Sequence, residues 1–140
     1  MNAKRYLAAS AAVFVVAEIL EYVIHELLLA STYASLQQLW RPDMESKMWM
    51  YPVVDAIWSL LFVCIFTKGY EGRGIMEGVR FGVLIGLFTS IPMAFGTYAM
   101  MPIPGSLAWQ WFIFTLVETI LLGIVAAAVY RPREPSAGAA

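Results

Sequence analysis

The sequence holds one histidine, one cysteine and, inside its four longest apolar stretches, no lysine or arginine at all. Each shortage excludes something. With Cys64 alone there is no internal disulfide, and a thiol within an apolar stretch says nothing of redox compartment. With His25 alone, ligation of a haem by two histidines is impossible within one chain. A net charge of −1 leaves no basic surface for nucleic acid. Charged residues make up 14% of the chain, well below the roughly quarter share of soluble domains. The glycines of the central loop do not have phosphate-loop spacing. A serine, a histidine and an aspartate are present, but there is no nucleophile elbow around any serine. No ExxH pair exists to build a carboxylate-bridged di-metal site.

What remains is apolar: 61% of the 140 residues are hydrophobic. The chain has room for one domain. Four windows are long enough to cross a bilayer core of about 30 Å: 6–30, 48–66, 81–101 and 107–130. The expected fold is all-α, an integral membrane bundle of four transmembrane helices forming a single domain over 1–140. The start, MNAKRYLAASAAVFVVA, has the basic and apolar parts of a signal peptide. Hydrophobicity continues to Ala30 without a convincing cleavage site, so a retained first helix is expected. The end, residues 131–140, is rich in proline and alanine and is expected to be a mobile tail.

Basic residues give the orientation. Lys4, Arg5, Lys68, Arg73, Arg80, Arg131 and Arg133 fall on one side, against Arg41 and Lys47 on the other. A seven-to-two split predicts both termini in the cytoplasm. The connection after the first span is long, with Trp40, Trp49 and Tyr51 as interfacial anchors. The glycine-rich connection TKGYEGRGIMEGVR reads as a flexible turn. MPIPGS is a tight proline turn that makes an antiparallel hairpin of the last two spans. Pro92 is expected to kink the third span.

Small residues recur every fourth position in the third span: Gly78, Gly82, Gly86, Ser90 and Ala94. The fourth has a matching line in Thr115, Thr119, Gly123 and Ala127. Such stripes let backbones approach closely where no hydrophobic effect drives helices together. They predict packing of the third span on the fourth or on a neighbouring subunit.

The acids inside the spans are the candidate site. Glu18, Glu21 and His25 share one face of the first span at helical spacing, with Tyr22 beside them. Asp55 lies on the second span, sharing a face with Tyr51 and Ser59, and Glu118 is central in the fourth. Each ionised acid near the bilayer centre costs about 2.5–3.5 kcal/mol, and each large aliphatic returns only about 0.3–0.6. These groups are therefore protonated, turned toward water in a bundle, or holding a cation. A structural network of carboxyls bonded to His25, Tyr22, Tyr51 or Tyr98 is the plainer alternative. Polar residues thin out inward of Glu18, which points to a vestibule open on the outer side and blind near the centre. Met44, Met48, Met50, Met100 and Met101 with His25 raise copper as an idea, since thioethers suit Cu(I). Methionine in membrane helices mostly packs, so the metal is left open and no cofactor is implied.

The acid in Ala17-Glu18 of a four-span chain resembles the small multidrug resistance transporters, whose membrane-embedded glutamate exchanges protons for cationic drugs. That likeness is local to the first span. The stretches LWRPDME, KGYEGRGIMEGVRFG and FGTYAMMPIPGS resemble a family of small four-helix bacterial membrane proteins, which implies the same topology in a bacterial inner membrane and brings no function. The leading expectation is a proton- or cation-handling protein, not an enzyme, with Glu18 and Glu118 as central acids. Glu21 and Asp55 would be relays or ligands and His25 the mouth. The alternative is an accessory subunit, homo-oligomeric or within a larger membrane complex, docking through its small-residue faces. A lipid or quinone pocket at the outer vestibule is a third idea. Membrane lipid is an expected partner.

Overall fold

The computed structural model describes residues 2–131, and all regular structure among them is helical. Residues 132–140, with Arg133 and most of the expected tail, lie outside the described residues.

Helix α1 spans Ala3–Glu21, capped by Asn2, whose side-chain oxygen accepts from the Arg5 backbone N–H at 3.2 Å. It continues without a break as a π-helix over Tyr22–Leu28, which Leu29 closes by donating to the Ile24 carbonyl at 2.9 Å. Such widened turns are rare and concentrate where side chains are re-aimed. The chain then bends at fully buried Leu29 into the short helix α2 (Ala30–Ser35), followed by two 3-10 turns, Gln37–Leu39 and Met44–Lys47. Helices α3 (Met50–Lys68), α4 (Ile75–Met100) and α5 (Gly105–Val129) complete the fold. Four elements are long and apolar enough to cross a membrane: α1 with its π extension, α3, α4 and α5. Their outward faces carry large exposed apolar side chains, among them Ile57, Leu84, Phe88 and Val117.

The element bounds depart from the sequence windows where local chemistry intervenes. α4 starts six residues before the expected 81, because Gly74 (φ 74°) sets the chain turn and Ile75 begins the helix. Pro92 sits inside α4 without ending it. The glycine-rich connection is pinned: buried Glu77, in the first turn of α4, accepts from the backbone N–H groups of Glu71 at 2.5 Å and Arg73 at 2.8 Å. A carboxylate at that place also suits the positive end of the helix dipole.

Around the bundle α3 packs on α1, α1 on α5, and α5 most closely on α4. The α4–α5 seam is built from the small residues. A side chain at Gly78 would collide with the Gly123 carbonyl, one at Gly82 with the backbone of Thr119 and Ile120, and one at Gly123 with Gly78. α3 meets α4 through aromatic rings, Phe62 and Phe66 both lying edge-on to Phe81. These rings belong to an apolar core toward the chain termini that includes Val13, Val63, Leu122 and Tyr130. A second core at the opposite end joins Ile24 and Leu29 to Ile103, Leu107 and Ala108.

Gly82→Ala is expected to destabilise the protein by about 1–3 kcal/mol, since a methyl group meets backbone that cannot yield. Gly96→Ala, where nothing lies within 4 Å, should instead be neutral or stabilising by up to about 1 kcal/mol. Unfolding in mixed micelles followed by tryptophan fluorescence measures both.

Candidate functional site

Between the two cores lies a cavity of about 200 Å³. Glu21 from α1, Asp55 from α3 and Glu118 from α5 all line it, so three helices each contribute a carboxyl group. Trp58, Thr89, Met93, Thr115 and Thr119 form much of the rest, and Ala17 and Leu122 connect the cavity to the core toward the termini. Glu118 is only 8% exposed and makes no side-chain hydrogen bond or ion pair among the described residues. Glu21 is close enough to act electrostatically on both Asp55 and Glu118. Glu18 is absent from the lining but lies close enough to Asp55 to act on it. Its Oε1 is buried without a partner.

His25 stands at the loop end of this group. Its Nε2 lies 3.1 Å from Glu21 Oε2, and its Nδ1 lies 2.6 Å from the Tyr33 hydroxyl. Glu21, at the end of α1, and His25, in the π-turn, meet as an i, i+4 pair, while α2 brings Tyr33 back over the imidazole, ring on ring at 5.7 Å and 9°. Trp111 on α5 donates its indole N–H to the same hydroxyl at 2.8 Å. Trp40 lies edge-on to Tyr33 and donates to its backbone carbonyl at 3.3 Å. Burial pushes the Tyr33 phenol up to about 12, against the opposing pull of the Trp111 hydrogen bond. Glu21, Tyr51 and Glu26 add to the rise, so the phenol keeps its proton throughout the physiological range.

Several residues expected in the network stand apart from it. Tyr22, Tyr51 and Tyr98 are exposed and do not line the cavity. Ser59 is buried outside the lining, with its hydroxyl unpartnered. Gly78, Gly82, Gly86 and Gly123 meet residues of this same chain, so their faces are covered. Thr119 belongs to both seam and cavity, while Ser90 is buried on the α4 stripe without a partner for its hydroxyl. The residues that sequence reasoning missed are Tyr33, Trp111, Trp58, Thr89 and Met93. Thr115 and Glu118, three apart on α5, carried a usable signal. Tyr33, eight residues past His25 across a helix break, carried none.

A transition metal finds little here. Among the described residues no three of His, Cys, Asp or Glu come together as a ligand set, and both nitrogens of His25 are engaged. Met44, Met48, Met50 and Met100 are exposed, which suits packing at a membrane surface better than thioether ligation. Comparison with models of protein families, with curated proteins and with solved structures finds no match for this chain.

Because the folded state favours the protonated phenol, Tyr33 contributes stability that is complete below its ordinary value near 10 and declines as pH rises toward 12. Thermal unfolding in detergent is expected to show that decline for the wild type, and Tyr33→Phe should flatten it over the same window.

Proposed function

We propose that this chain is a four-span protein of a bacterial inner membrane, with both termini cytoplasmic, whose cavity takes up protons or exchanges them for a cation. The observation that carries the proposal is Glu118: more than nine-tenths of it is removed from solvent, it lines a cavity shared with Glu21 and Asp55, and no bonded partner accounts for its burial. A purely structural carboxyl would be expected to have its oxygens satisfied. The cations within the spans, Lys4, Arg5, Lys68 and Arg80, stand toward the helix ends, and among the described residues no lysine or arginine pairs with these acids.

The chemistry follows from that imbalance. Two unit charges about 6 Å apart at an effective dielectric near 20 repel by about 3 kcal/mol. Three carboxylates around one small cavity therefore do not all stay charged unless something positive accompanies them. A proton does so at least cost, and a cation occupying the cavity displaces protons from the same groups. Intramembrane acids facing a bundle interior commonly serve this purpose. Trp58 and Met93 give the cavity apolar walls, and Thr89, Thr115 and Thr119 supply hydroxyls. The alternative of a subunit docking through its small-residue faces is not favoured, because α4 and α5 use those faces on each other.

In proteoliposomes under an imposed pH gradient, Glu118→Gln is expected to reduce proton flux to that of protein-free vesicles. Tyr98→Phe, an exposed change outside the lining, should leave it within twofold. Flux unaltered by Glu118→Gln removes the proposal.

A further inference from the structure

The two nitrogens of His25 have different partners, and donor counting decides what each one does. An indole N–H can only donate, so the Tyr33 oxygen is the acceptor in its 2.8 Å bond with Trp111. The phenol has a single proton of its own, and among the described residues His25 Nδ1, at 2.6 Å, is the one acceptor within its reach, so the pairing that satisfies the hydroxyl sends that proton to Nδ1. A neutral imidazole that accepts at Nδ1 carries its proton on Nε2, which lies 3.1 Å from Glu21 Oε2. The hydrogen bonds thus run one way, from Trp111 to Tyr33 to His25 to Glu21, and end at the cavity.

We propose that Tyr33, oriented by Trp111, is a positioning residue that holds neutral His25 in its Nε2–H tautomer and so keeps Glu21 as an acceptor at the edge of the cavity. The role assigned to Glu21 rests on the proton reading above; the tautomer itself does not. Tyr33 is held for this purpose on both sides, stacked on the imidazole and braced edge-on by Trp40. The charged and titratable groups around it are Glu21 and Glu26 from the first span and Tyr51 from α3, all acidic or neutral. Asp55 and Glu118 face Glu21 across the cavity. When His25 gains a second proton both nitrogens donate, and the Tyr33 oxygen then faces two donors, Nδ1–H and the indole. Its own O–H must turn to another acceptor.

Because His25 is the only histidine, nitrogen-15 labelling of histidine gives signals that need no assignment. The full chain in lipid nanodiscs, above the imidazole titration, is expected to show the Nε2–H tautomer in at least tenfold excess. A wild-type spectrum dominated by Nδ1–H overturns the proposal without any variant. Tyr33→Phe keeps the stacked ring and removes the hydroxyl; it should lower the tautomer ratio at least threefold, with helix content unchanged by circular dichroism. Trp111→Phe, which leaves the hydroxyl free to accept from the imidazole, should lower it in the same direction. If Tyr33→Phe leaves the ratio unaltered, Glu21 alone sets the tautomer and the proposal fails. The spectrum requires no transport, so its failure and the failure of the proton reading are separate results.

Discussion

Carboxyl groups without a countercharge, set in an apolar shell, constrain everything else in this protein. An apolar surround offers a carboxyl no partner, and an interior built from long aliphatic chains offers none either. The bundle accommodates them by leaving a cavity where α1, α3 and α5 each place one acid. The close α4–α5 seam makes this geometrically possible. α5 spends its glycine, threonine and alanine stripe on α4 and keeps the adjoining stripe of Glu118 and Leu122 for the cavity.

The two ends of the bundle differ in kind. Toward the termini, the aromatic series Trp58, Phe62, Phe81, Phe66, Tyr70 and Tyr130 fills the space between helices. Toward the loops, polar groups continue from Glu21 through His25 to Tyr33 and Trp111. The connection between the first two spans packs over that end through Tyr33, Leu36 and Leu39. α3 and α4 are the neighbouring pair with the sparsest backbone approach, joined by rings below the cavity.

The four long apolar helices were legible in the sequence because hydropathy in spans of about twenty residues is an unambiguous signal. So was the α4–α5 stripe, since a four-residue period of glycines has one geometric meaning. Helical arithmetic also gathered Glu18, Glu21 and His25, because i, i+3 and i, i+4 neighbours need no tertiary information. The tyrosines stand apart from the cavity for a complementary reason. Tyr22, Tyr51 and Tyr98 share faces or depth with the acids, but face arithmetic assumes an ideal 100° per residue and says nothing of how helices rotate against one another. The π-turn at Tyr22–Leu28 breaks that assumption, and Tyr33 arrives through a bend at Leu29 that only the second apolar core explains. Glu77 escaped notice because its partners are backbone N–H groups, which no side-chain pattern reveals.

Convergence of the acids on one space is the central claim, and infrared difference spectroscopy of the carboxyl C=O stretch on a pH step addresses it directly. The band that disappears in Glu118→Gln belongs to Glu118. If the three groups share a cavity, that band should move, and its pH midpoint with it, when Asp55→Asn or Glu21→Gln is made elsewhere in the chain. A Glu118 band indifferent to both changes would place the acids apart and contradict the account.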